Sequence, residues 1–216
     1  MRELITNDGS ITFYNEEYDE CYHSMSGAVE EAFKKHAEPA GLAERAGAGE
    51  ISILDVCFGL GYNSAAALDV ILEANLACTV SIVGLEDDRE ILKKIAALKP
   101  RIKSYSAIQD AVENGGEYFN DGISIKIIVG DARETIKKLN QRFDVVFHDP
   151  FSPKKCPELW TEDFFKEIRK HMKKSSVLTT YSCAKNAREN LKKAGFAVFD
   201  GPCVGRRAPS TIAKPL

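Results

Sequence analysis

Short apolar runs alternate along the chain with longer segments whose apolar positions recur at helical spacing. Ile51 to Val56, Val80 to Leu85, Ile123 to Val129, Phe143 to His148, Val177 to Tyr181 and Phe196 to Phe199 read as strands, and Ser210 to Ala213 as a last one. The Val80 to Leu85 run is apolar on both faces, as a covered parallel strand requires. Helical patterns fill the intervals: after Ser64 to about Asn75, after Asp88 to Leu98, 102 to 113, and Ala132 to Leu139. A helix capped by Thr161 runs to Met172 with Phe164, Phe165 and Ile168 on one face, and Ala184 to Ala194 ends at Gly195. Asn114-Gly115-Gly116 and Asn120-Asp121-Gly122 read as turns. This alternation predicts an open, mainly parallel sheet with helices on both faces.

The first 45 residues break the pattern. Ile11 to Tyr14 reads as a short edge strand, and Ala28, Val29, Ala32 and Phe33 mark a helix capped by Ser24 or Ser26. We expect residues 1–45 to pack as a cap on a core domain of residues 46–216.

Composition narrows the class. At 216 residues and 44% apolar, the chain fits one domain with a buried core. The amino terminus lacks a signal-peptide pattern and no apolar run is long enough for a bilayer, so a cytoplasmic, non-membrane protein is expected. The formal net charge of −3 hides an asymmetry. Residues 151–216 hold 14 Lys/Arg against 6 Asp/Glu, while residues 1–150 hold 15 against 26. That split suits a polyanion approaching one side, or solvated helix faces. None of the six cysteines forms a C-x-x-C pair, so no metal site is expected, and all should be free thiols with Cys57 and Cys78 buried.

In such a sheet, ligands gather outside the carboxyl ends of the strands. The first core strand leads into a turn with Gly59 and Gly61, which serves close cofactor approach or packing alone. The second ends at Glu86, placed to accept from ribose hydroxyls. The third ends at Gly130-Asp131, placed to accept from an adenine amine. The fourth ends at Asp149 beside the aromatic Phe151. Glu86 and Asp131 have a plainer reading as helix caps, and His23 as a structural histidine. A dinucleotide turn would place glycine where Ser64 stands. A nucleoside cofactor without phosphates, S-adenosylmethionine, suits the ordered set better.

The runs 53–64, 83–88, 127–136 and 143–160 resemble class I S-adenosylmethionine-dependent methyltransferases. More narrowly, the chain is similar to the methyltransferase domain of the MnmC family, which acts on 5-(aminomethyl)uridine in tRNA. The distinctive part is Asp149-Pro150-Phe151-Ser152-Pro153, continuing through Pro157 to Trp160. Thr180-Tyr181-Ser182, Leu191 to Phe196, Gly205-Arg206-Arg207 and Tyr18 to Ser24 extend the likeness over nearly the whole chain.

The resemblance implies a Rossmann-like class I methyltransferase fold with a mainly parallel, seven-stranded sheet. It implies S-adenosylmethionine held by Asp55, Phe58, Gly59, Gly61, Asn63, Glu86, Asp87, Asp131, Ala132, Asp149 and Phe151. Asp149 would accept a proton from, or orient, the acceptor amine. His23, Ser24, Phe151, Lys154, Trp160, Arg206 and Arg207 would face the substrate, with Lys155 and Lys185 as further phosphate contacts. Neither a metal nor FAD is expected. The partner would be the wobble uridine of tRNA, with a separate protein supplying the aminomethyl group or tRNA capture. The alternatives are an aminopropyltransferase of polyamine synthesis, an amino-methyltransferase of adenine or cytosine in nucleic acid, and a non-enzymatic cofactor- or RNA-binding scaffold.

Overall fold

The computed structural model describes residues 1–216. The chain opens with β1 (Arg2–Ile5), β2 (Ile11–Asn15) and β3 (Glu20–Cys21), a separate antiparallel sheet in the order β1-β2-β3. Ile11 to Tyr14 is therefore the central strand of this sheet and not an edge: Ile11 pairs with Ile5 and Tyr14 with Cys21. α1 (Ala28–Glu31) continues through a wide π-type turn over Ala32–Ala37. Neither Ser24 nor Ser26 caps it. Ser10 Oγ accepts from the amides of Ala28 (3.0 Å) and Val29 (3.3 Å), and Asp8 accepts from Glu30 (2.9 Å). The cap thus comes from a turn 18 residues upstream and ties the small sheet to the helix.

The core follows as α2 (Leu42–Arg45), β4 (Glu50–Val56), α3 (Tyr62–Ala74), β5 (Thr79–Glu86), α4 (Arg89–Leu92) and α5 (Tyr105–Glu113). Then come β6 (Glu117–Asn120), β7 (Ile123–Val129), α6 (Ala132–Thr135), β8 (Phe143–His148), α7 (Glu162–Lys170) and β9 (Met172–Thr180). α8 (Lys185–Lys193), β10 (Phe196–Asp200) and β11 (Thr211–Pro215) complete the chain. The main sheet is eight-stranded, in the order β10-β11-β9-β8-β4-β5-β7-β6. The extra strand over the expected seven is β6. It folds back antiparallel on β7 through Asp121 (φ 48°) and Gly122 (φ 79°), whose paired positive angles make a tight hairpin turn. Its mostly exposed Glu-Tyr-Phe-Asn sequence carries no apolar alternation to announce a strand.

β4 shows how the layers form. Ile51 and Ile53 pack under α3 and α5, while Leu54 and Val56 face the layer of α7 and α8. Both faces are buried, so the strand reads as one continuous apolar run. From β4 the chain winds outward to β5 and β7, then crosses back to place β8 on the other side of β4. The crevice for a ligand opens at this reversal, outside the carboxyl ends of β4 and β8. The amide of Asp149 donates to Val56 O (3.1 Å), so the turns after the two strands stay side by side. No helix is long and apolar enough to cross a membrane.

Candidate active site

Two cavities meet in that crevice. The first lies over the ends of β4, β5, β7 and β8, between Phe58, Gly59, Leu85, Glu86, Asp131, Ala132 and Phe151. The second opens toward α1 and the loop before β11, between Glu31, Lys35, His36, Ser24, Tyr181 and Arg206. Tyr22, His23, Asp149, Pro150 and Phe151 border both.

The turn after β4 needs left-handed backbone at three places: Cys57 (φ 65°), Gly59 (φ 55°) and Gly61 (φ 72°). Gly59 lines the first cavity, and its amide donates to Glu86 Oε2 (2.7 Å). Gly61 does not line it. A Cβ there would lie 2.6 Å from Ile108 Cγ2 and 2.9 Å from the Phe58 ring, so this glycine serves packing.

Glu86 is not a helix cap. Its Oε1 accepts from the amides of Asp87 (3.0 Å) and Asp88 (2.9 Å), and Asp88 caps α4 in its place. Burial pushes Glu86 up to about 7, against the pull of these backbone donors. Asp131 does cap α6 through Arg133 N (2.8 Å), and the Arg133 guanidinium, at 2.5 Å, holds its carboxyl below the usual range. Asp55 lies fully buried under the turn, outside the cavity. Ser64 Oγ donates to its Oδ2 (2.7 Å), its Oδ1 has no partner, and burial drives its pKa well up.

The first cavity presents carboxylates and apolar walls, and its one guanidinium is engaged by Asp131. This acceptor-rich lining repels phosphate. It suits a cationic nucleoside carrying ribose hydroxyls and an amine, all hydrogen-bond donors.

Asp149 is the hinge between the cavities. Asn63 Nδ2 donates to its Oδ2 (2.9 Å), and His36 Nε2 lies 3.4 Å from its Oδ1. Burial opposes its ionisation, but His36, His23 and Asn63 outweigh burial and hold it near 2. His23 sits in the wall with Nδ1 against Thr12 Oγ1 (3.1 Å), and burial lowers its pKa.

The Asp149-Pro150-Phe151 segment is held from behind. Tyr181 donates to Pro150 O (3.1 Å) and Trp160 Nε1 to Phe151 O (2.8 Å). Trp160 is 1% exposed and touches neither cavity, so it positions this segment and does not wall a pocket. In front, Tyr18 stacks on Phe151 (centroids 4.5 Å apart) and Tyr22 meets it edge-on at 4.9 Å. The cap sheet is clipped over the crevice by Tyr22 to Asp88 (2.6 Å) and by Ser152 Oγ to Glu20 (2.7 Å).

The structure thus brings Phe58, Gly59, Asn63, Glu86, Asp87, Asp131, Ala132, Asp149, Phe151 and His23 to the first cavity, and Ser24 and Arg206 to the second. Asp55, Gly61, Trp160, Lys154 and Arg207 border neither. Lys155 is paired with Asp19 at 2.9 Å, and Lys185 reaches Glu189 at 3.8 Å. Much of the basic half gathers elsewhere: Lys166, Lys170, Lys173, Lys174 and Lys193 surround the start of β9, at the opposite end of the sheet from Asp149. His36, Tyr18 and Tyr22 are the site residues that sequence reasoning missed. Tyr18 and Tyr22 fall inside the run that carries the family resemblance. His36 has no local signal at all. No cluster of His, Cys, Asp or Glu is arranged as a metal site, and all six cysteines are free thiols, with Cys78 buried and Cys57 half-buried at the cavity.

A family model described as S-adenosyl-L-methionine-dependent methyltransferase matches residues 95–215. The chain belongs to that family. It is similar to the crystal structure of MnmC2 from Aquifex aeolicus, with a TM-score of 0.89 and 35% identity over 99% of this chain and 70% of that one. It is 37% identical to a protein of Methanocaldococcus jannaschii over 96% of this chain and 58% of the relative. It is 28% identical to the tRNA 5-methylaminomethyl-2-thiouridine biosynthesis bifunctional protein MnmC of Ralstonia nicotianae, over 94% of this chain and 33% of that protein. The chain therefore spans little more than half of the first of these two relatives and a third of the second. Spermidine synthase from Thermotoga maritima shares the fold at 14% identity and a TM-score of 0.62. The family cofactor, a sulfonium nucleoside, matches the acceptor-rich, phosphate-repelling lining of the first cavity.

Proposed function

We propose that the chain methylates the primary amine of the 5-aminomethyl group on the wobble uridine of tRNA. The observation that carries this reading is the meeting of the two cavities at Asp149. One has carboxylate acceptors that suit S-adenosylmethionine, and the other opens to solvent beside Tyr181 and Arg206. The names of the MnmC relatives supply the substrate class. The aminomethyl group is introduced beforehand by a separate activity.

When bound, the cofactor supplies an electrophilic methyl group at the junction of the cavities. Glu86 would accept from the ribose hydroxyls and Asp131 from the adenine amine. Phe58 and Ala132 would flank the base, and Asp87 would add negative charge to the same wall as Glu86. Gly59 and Asn63 would line the end nearest the methyl. Asp149 would hold the acceptor amine through its free lone pairs and align nitrogen with methyl. Phe151 would present its ring to the uracil, and Arg206 with Lys154 and Arg207 would meet the phosphates.

A polyamine acceptor fits the second cavity less well. Apart from Asp149, its carboxylates are already engaged, Glu31 by Lys35 and by Ser24 N (2.8 Å), and Glu20 by Ser152, which leaves one acid for a polycation. The test is transfer of labelled methyl into tRNA carrying aminomethyluridine, beside the same tRNA unmodified. The first should be labelled and the second blank; equal labelling overturns the substrate assignment.

A further inference from the structure

An alkylammonium must lose a proton before its nitrogen can attack a methyl group. Asp149 is the nearest acceptor, yet a carboxylate is a weak base beside an alkylamine. General-base efficiency falls as the pKa drops away from the working pH. A proton taken by Asp149 therefore needs a further resting place.

One basic group adjoins it. His36 is 1% exposed on the wide turn after α1, with Nε2 3.4 Å from Asp149 Oδ1 and Nδ1 3.4 Å from Thr179 Oγ1. Its ring packs edge-on against Phe147. Such contacts are often long in ligand-free sites and tighten with substrate. The charged and titratable groups around it are Asp149 at the end of β8, His148 beside it, His23 from the loop after β3, and Lys35 with Glu31 on its own helix. Lys35 is paired with Glu31, so its charge is offset. His148 lies in an aromatic box of Trp160, Phe164 and Phe165 that pushes it down to about 3, so it stays neutral. His23 is also lowered by burial. Asp149 is then the dominant charge facing His36.

We propose that His36 receives the proton of the acceptor amine through Asp149. This rests on the amine-methylation reading above. The substrate N–H bond breaks and its proton goes to the Asp149 carboxylate, while the electron pair stays on nitrogen. Asp149 passes a proton from Oδ1 to the lone pair on Nε2 of His36, in the tautomer whose Nδ1–H faces Thr179. The site ends with a neutral amine, a carboxylate and an imidazolium, so charge is conserved. His36 gives up the proton to water after turnover, through the second cavity that it borders.

His36→Gln keeps a polar side chain and removes the acceptor. With the relay, wild-type kcat/KM on aminomethyl tRNA is flat from about neutral pH up to the amine ionisation. The variant uses only amine that is already neutral. It should lose about 10²-fold at pH 7 and recover about tenfold per pH unit upward. Its affinity for S-adenosylhomocysteine should stay within about twofold, which also reports folding. A deficit that is independent of pH, or no deficit, overturns the relay. Wild-type enzyme inactive on that tRNA overturns the substrate reading and the relay with it.

A second measurement needs neither turnover nor the variant. In wild-type protein with 15N-labelled histidine and bound S-adenosylhomocysteine, an anticodon stem-loop carrying aminomethyluridine should move the His36 ring nitrogens to imidazolium shifts. The unmodified stem-loop should leave them unchanged. A His36 ring that stays neutral with the amine bound overturns the proposal.

Discussion

Asn63 donates its side-chain amide to Asp149 Oδ2 at 2.9 Å and so joins the first turn of α3 to the end of β8. The two residues are 86 positions apart in sequence. The bond spans the reversal point of the sheet, where the two cavities meet. It leaves the second carboxylate oxygen turned toward His36 and the second cavity.

Removing the charge at this point tests the role of Asp149. Asp149→Asn keeps the shape and loses the acceptor for an ammonium. We expect kcat to fall at least 10²-fold while cofactor affinity changes less than about fivefold. Single-turnover rates with calorimetric affinities separate the two effects. Unimpaired turnover would remove Asp149 from the chemistry.

Glu86 is expected to make cofactor binding depend on pH. Burial raises it from 4.5 to about 7, so the native state holds this proton more tightly than the unfolded chain. The sign follows: between about pH 4.5 and 7 the cofactor-free protein loses stability from this group as pH rises. A cation donating hydrogen bonds to Glu86 selects its ionised form. Cofactor affinity should therefore fall by up to tenfold per unit as pH drops below 7, with proton release on binding near pH 6.5. Calorimetry in buffers of different ionisation heat reads both. In Glu86→Gln the affinity should be lower overall and flat in pH.

Gly61 carries a packing constraint. An alanine there would meet Ile108 at 2.6 Å and take a backbone angle of 72°. The left-handed angle costs about 1–2 kcal/mol and the overpacking about 1–3 kcal/mol. Gly61→Ala should lower the thermal midpoint by several degrees. Cys57→Gly, at φ 65°, relieves strain of the first kind and should not. Scanning calorimetry of the two variants gives the comparison.

The two basic regions should differ toward tRNA. Arg206 borders the second cavity, whereas Lys173 and Lys174 lie at the far end of β9. If phosphates are met at the cavity, Arg206→Ala with Arg207→Ala should flatten the salt dependence of tRNA affinity by about one to two counterions. Lys173→Ala with Lys174→Ala should leave the slope unchanged. The reverse pattern would move the RNA face to the opposite end of the sheet.

The sequence by itself determined the alternation of strands and helices, and with it the parallel core and the residues standing at the strand ends. Those features are local, because apolar period, glycine and helix-stop signals act within a few residues. Glu86, Asp131, Asp149 and Phe151 were legible for that reason, since the end of a buried strand can be read from where its apolar run stops.

Tertiary structure decided the rest. β6 carries too little apolar pattern to be read alone and becomes a strand only by pairing with β7. The cap of α1 is supplied by Ser10 and Asp8 from a distant turn. Gly61 and Trp160 look like pocket residues in the sequence, yet close packing turns one against Ile108 and the other behind Phe151. His36 is the clearest case. Its helix gives no local sign of chemistry, and only the docking of the cap segment against β8 and β9 sets its imidazole between Asp149 and Thr179. Hydrophobic periodicity records which side of an element is buried, but the partner it meets there is chosen by the whole fold.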